Sequence, residues 1–107
     1  MKLILSIVSN DDANSVANTL TKNGFQITKI ATTGGFLKAG NTSIIVGVED
    51  ERLQEAIDLI GKEAKKRTEV TPATAAYDVS GFASFPVEVN VGGATIFVLD
   101  VEQFIKF

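Results

Sequence analysis

Apolar residues fall in two patterns along this chain: short unbroken runs, and stripes with helical spacing. Lys2 to Ser9 is a β-branched run, apolar on both faces, which predicts a central buried strand. Ala13, Val16, Ala17 and Leu20 then follow i, i+3, i+4, i+7 spacing, one stripe of a helix. Asp11 and Asp12 can cap that helix, Lys22 suits its C-terminus, and Gly24 can take the left-handed stop. Phe25 to Thr32 predicts a second strand, Thr33 to Gly40 a glycine-rich loop, and Thr42 to Val48 a third strand. Glu49, Asp50 and Glu51 place negative charge where a second helix would begin. Leu53, Ala56, Ile57 and Ile60 repeat the helical stripe. Lys62, Lys65, Lys66 and Arg67 close it, either complementing the helix dipole or forming an anion site.

Thr68 to Pro86 has no clear period and holds both prolines, so a long flexible loop is expected at about 68–86. Its Tyr77, Phe82 and Phe85 either pin the loop to the core or close over a ligand. Val87 to Val91 alternates, Gly92-Gly93 offers a hairpin turn, and Ala94 to Val101 returns as a strand. Glu102 to Phe107 is too apolar to hang free. The order β-α-β-β-α, loop, β-hairpin predicts an α+β, ferredoxin-like split β-α-β sandwich, with two helices on one face of an antiparallel sheet. The strands are apolar on both sides, so the uncovered face is expected to meet other copies of the chain.

Composition narrows the chemistry. The 107 residues fit one domain, 1–107, and include no His and no Cys. The usual general base and the thiolate metal ligands are therefore missing. A net charge of −3 gives no broad attraction to a nucleic-acid polymer. No apolar run reaches the roughly 20 residues of a membrane helix, and the opening run lacks a cleavage site, so a cytoplasmic protein without membrane contact is expected. Glu49-Asp50-Glu51 could ligate Mg²⁺, but stabilisation of a helix N-terminus explains it better, and no catalytic or metal residue is assigned.

The stretch Thr28 to Thr42 is the most informative. Gly35 and Gly40 stand at G-x-x-x-x-G spacing before Asn41-Thr42, one residue from a P-loop, with Asn41 where Lys belongs. The loop also joins two strands instead of leading into a helix, so an ATPase of that type is rejected. Glycines still let backbone N–H groups approach phosphate closely, with Thr28, Lys38 and Asn41 able to add contacts and Phe36 placed to meet a flat apolar ring. Alternatively, they serve only the turn.

Ile30-Ala31-Thr32-Thr33-Gly34-Gly35-Phe36-Leu37-Lys38-Ala39-Gly40-Asn41-Thr42 resembles the signature of the PII-like cyclic di-AMP receptor proteins of Gram-positive bacteria. Pro86-Val87-Glu88-Val89-Asn90-Val91-Gly92-Gly93-Ala94-Thr95-Ile96-Phe97-Val98 resembles their C-terminal hairpin, and the likeness spans essentially the whole chain. The resemblance implies a homotrimeric signal-transduction receptor, not an enzyme and without a cofactor. It would bind cyclic di-AMP in inter-subunit clefts and reorder its loops to signal to an unidentified downstream protein. Carried over by position, Gln26, Thr28, Gly35, Phe36, Leu37, Asn41 and Gly47 would line the pocket, with Phe97 nearby. Phe36, Leu37 and Phe97 would pack the adenines, where aromatic stacking is worth roughly 1–3 kcal/mol per base. Family members often carry Arg at the position of Gln26, and Asn and Gln at those of Gly24 and Lys106. A charged bond to phosphate is about twice as strong as a neutral one, so Lys29 or Lys38 would have to supply the charge. Two other readings stay open: a PII-like regulator of ATP or ADP, and a small-molecule enzyme with an inter-subunit active site.

Overall fold

The computed structural model describes residues 1–30, 40–65, 67–72 and 86–107. Strand β1 (Lys2–Ser9) leads into helix α1 (Asn10–Lys22), followed by β2 (Ile27–Ile30) and β3 (Asn41–Val48). A 3₁₀ turn (Asp50–Arg52) opens helix α2 (Leu53–Glu63), and β4 (Arg67–Pro72), β5 (Pro86–Val91) and β6 (Ala94–Asp100) complete the order. The main sheet runs β2-β3-β1-β6, with every neighbouring pair antiparallel. With α1 and α2 inserted between strands, this is the ferredoxin-like split β-α-β arrangement.

Local chemistry explains the joints. Ser9, not Asp11 or Asp12, caps α1: its Oγ accepts from the Asp11 N–H at 3.2 Å. Asp12 lies in the first turn and faces elsewhere. At the far end, Gly24 takes φ +86°, its N–H donates to Thr21, and the Phe25 N–H donates to Leu20. That is the Schellman pattern, and it satisfies two carbonyls the helix leaves open. The two helical stripes meet the sheet as expected. Val16, Leu20, Ala56 and Ile60 pack with Ile4, Val8, Ile44 and Val46 in one buried cluster.

Two further expectations from the sequence are corrected. The segment read as irregular from Thr68 begins as a strand, β4, paired with β5 from Arg67↔Val91 to Pro72↔Pro86. Residues 73–85, with the three loop aromatics, lie outside the described residues. Gly92-Gly93 does not make a hairpin, because β5 pairs with β4 while β6 pairs with β1 from Lys2↔Asp100 to Val8↔Ala94. The two glycines, at φ +83° and +86°, instead form a corner where the chain passes from a two-stranded ribbon into the main sheet. Adjacent positive-φ glycines serve either purpose; the open, apolar edge of β1 decides between them.

Lys2 and Asp100, directly opposed at the ends of β1 and β6, form an ion pair. The Lys2 hydrogen bond, and then its charge, holds the Asp100 carboxyl below its ordinary value. A hydrogen bond from Arg52 does the same for Glu55. Both groups bind protons more weakly folded than unfolded. Their contribution is therefore present above the unfolded pKa and lost as pH falls through the lowered folded values. Exposure and salt keep it small. From about pH 5 down to pH 2, thermal melts should show wild type losing more stability than Asp100→Asn, the two converging at the acid end. Parallel curves would show that the pair contributes nothing.

Candidate functional site

Strand alternation sorts the expected site residues. Ile4, Ile44 and Val46 point into the core beneath the helices. Their neighbours Leu3, Leu5, Ile45 and Gly47 therefore face the opposite, open side of the sheet. Register extends that face across all four strands. Thr28 opposes Ile45, Ile45 opposes Leu5, and Leu5 opposes Phe97. One row thus carries Thr28 at one edge and Phe97 at the other. A second row runs Gly47, Leu3 and Leu99.

At one end of this face lies a cleft of about 380 Å³, lined by Met1, Gln26, Ile27, Thr28, Ile45, Gly47 and Phe104. Its volume falls in the range of small-ligand sites, about 300–1,000 Å³. A Cβ built on Gly47 meets nothing within 4 Å, so this glycine leaves open space instead of serving a tight contact. Thr28 and Gln26 bring neutral donors and acceptors, and Ile45 brings apolar surface. The Met1 ammonium is 3.1 Å from Asp50 Oδ1 and so is already paired.

Gln26 and Gly47 also line a smaller cleft of about 210 Å³ with Gly24, Phe25, Val48, Glu49 and Arg52. Here Arg52 works as a staple. Its guanidinium carbon sits 4.0 Å from the Phe25 ring centre, Nε and Nη2 reach Glu55 at 3.1 and 2.9 Å, and Nη2 donates to the Asn23 carbonyl at 2.7 Å. These contacts fix the turn that delivers Gln26 to the sheet.

Other expected residues lie apart. Asn41 is on the open side but at the far end of β3, about 20 Å from Gly47 by strand rise. It lines a separate cleft of about 290 Å³ with Ile7, Ser9, Gly92, Gly93, Ala94 and Thr95. Lys29 occupies the helix side, where its Nζ donates to Asn14 Oδ1 of α1 at 3.0 Å. The structure thus places it away from the face that Thr28 and Gly47 share. Gly35, Phe36, Leu37 and Lys38 lie outside the described residues. Sequence reasoning missed Ile45 and Phe104. Alternation around Gly47 would have found Ile45, whereas nothing local marks Phe104.

A family model described as the cyclic-di-AMP receptor matches residues 1–107, the whole chain. The chain belongs to the cyclic-di-AMP receptor family. A solved structure, that of a functionally unknown protein from Pediococcus pentosaceus ATCC 25745, is similar at 39% identity and a TM-score of 0.79. The likeness covers 99% of this chain and 96% of that one. Membership of a receptor family gives the three clefts a ligand to be tested against. Cyclic di-AMP has two adenines and two phosphates, so it needs apolar walls together with polar contacts. The Gln26–Thr28–Gly47 cleft offers both.

Proposed function

We propose that this protein is a cytoplasmic receptor that binds cyclic di-AMP, without turning it over, in clefts between the subunits of a homotrimer. Binding reorganises the glycine-rich loop expected at 33–40 and the segment between β4 and β5, and a downstream protein reads the change. The observation that carries this reading is the convergence of Gln26, Thr28 and Gly47 on one cleft of the sheet face that the helices leave open. Phe97, 37% exposed, and Leu99, 47% exposed, continue the apolar surface across that face. Among the described residues, one chain leaves Leu99 about half exposed on this face and holds Asn41 at the far end from Gly47. A neighbouring copy packed on the open face would bury the one and supply the other. Gly35, Phe36, Leu37 and Lys38 join the site in this reading, with Lys38 the cation inside the glycine-rich loop expected at 33–40.

The test is calorimetry with cyclic di-AMP, ATP and ADP, paired with light scattering. The expected result is saturable binding of cyclic di-AMP alone by a particle of three chains. At 100 times its dissociation constant, the ligand should stabilise the fold by about 2.7 kcal/mol. Binding of ATP or ADP in its place would overturn the assignment of ligand, product release would overturn the receptor reading, and a concentration-independent monomer would overturn the shared cleft.

A further inference from the structure

We propose that Phe104 supplies an aromatic face to one adenine of the bound ligand. This rests on the reading of the Gln26–Thr28–Gly47 cleft as the cyclic di-AMP site. Among the described residues that line that cleft, Phe104 is the aromatic one. A backbone tie leads the segment after β6 there, the Val101 N–H donating to the Met1 carbonyl at 3.3 Å. That tie continues the β1–β6 register one residue beyond Lys2↔Asp100, at the same end of the sheet that holds Leu3 and Gly47.

The ring is 67% exposed, so it is not needed to fill the core. It stands beside empty volume bounded by Ile45 and the bare backbone of Gly47. An exposed aromatic next to an apolar-floored gap is the arrangement that a flat purine completes, burying both of its faces. Thr28 and Gln26, in the same cleft, offer hydrogen bonds to the purine edge. Phe107 and Ile105 are also exposed but do not line this cleft, so exposure alone does not single out Phe104.

The experiment compares wild type with Phe104→Ala, Phe104→Leu, Phe104→Tyr and Phe107→Ala, each titrated with cyclic di-AMP and weighed by light scattering. Loss of one stacked base should weaken binding roughly 5- to 100-fold. Phe104→Ala and Phe104→Leu should both show that loss, whereas Phe104→Tyr and Phe107→Ala should bind as wild type, with the mass of the assembly unchanged throughout. In proton spectra, an adenine H2 or H8 signal of the bound ligand should move downfield in Phe104→Leu and stay in place in Phe104→Tyr. Wild-type affinity in Phe104→Ala, equal retention in Phe104→Leu, or an affinity loss that tracks a change in mass would each overturn the inference while leaving the receptor reading intact. Failure of wild type to bind cyclic di-AMP would overturn both.

Discussion

Replacing Gly47 by valine should abolish ligand binding and leave the fold at least as stable as wild type. The two halves of this expectation come from the same geometry. Gly47 sits in a strand paired on both sides, opposite Leu3 of β1, with Ile27↔Val46 the adjoining pair on the β2 side. Its φ is not positive, and an added Cβ meets nothing within 4 Å. A branched side chain is therefore accepted by the backbone, and strand propensity favours valine over glycine by about 0.5–1 kcal/mol. Its methyl groups, however, project into the 380 Å³ cleft between Thr28 and Phe104. A ligand that approaches the backbone there would clash, and affinity should fall at least ~100-fold, about 2.7 kcal/mol. Calorimetry and urea denaturation on the same sample measure both halves. Wild-type affinity in Gly47→Val would remove this cleft from the site.

The same type of change at Gly92 should have the opposite effect on the fold. Gly92→Ala places a Cβ 2.6 Å from the Lys65 carbonyl oxygen and 2.6 Å from Arg67 Nη1, with Asp12 Oδ2 at 3.2 Å. Arg67 can move, but the carbonyl belongs to the backbone that follows α2. The position also has φ +83°, which costs an L side chain roughly 1–2 kcal/mol. Overpacking adds about 1–3 kcal/mol, so a loss of about 2–5 kcal/mol is expected in urea denaturation. Gly61→Ala is the matched control. Gly61 is inside α2 with open space at its Cβ, and alanine there should stabilise by about 0.5–1 kcal/mol. Equal effects at the two positions would contradict the assignment of Gly92 as a close-packed corner.

What made most of the fold legible was periodicity. The stripes of α1 and α2 and the apolar runs of β1 and β3 each face one core, so pattern and packing agree. Of the ribbon, β5 was legible and β4 was not, for a physical reason. Among the described strands, β4 pairs with β5 in a sheet of its own, so the core of the main sheet imposes no apolar pattern on it. Asp12 misled in a related way. An acidic residue in a first turn reads as a cap, yet this one is buried by a contact 55 positions away, to Arg67. Within the site, the resemblance carried the assignments, and alternation could have filtered them. Thr28 and Lys29 are adjacent in a strand and point to opposite faces, so both could not serve one cleft from the same chain. Phe104 belongs to a segment without regular structure, for which no sequence period exists.

The root of the ribbon holds one more consequence. Asp12 and Arg67 meet there through paired contacts of 2.9 and 3.3 Å, Arg67 also reaches the Lys65 carbonyl at 3.1 Å, and the Gly93 N–H donates to the Ala64 carbonyl. α1, the end of α2, β4 and the corner are thus fastened within one small knot, and the corner glycines line the cleft that contains Asn41. Beyond the knot, the six-residue strands extend by about 20 Å. They form a lever on a short fulcrum: a tilt of about 10° at the glycines carries the far end through about 3.5 Å over that strand length. A displacement too small to disturb the core would arrive at the tip as a change in position as large as a side-chain contact.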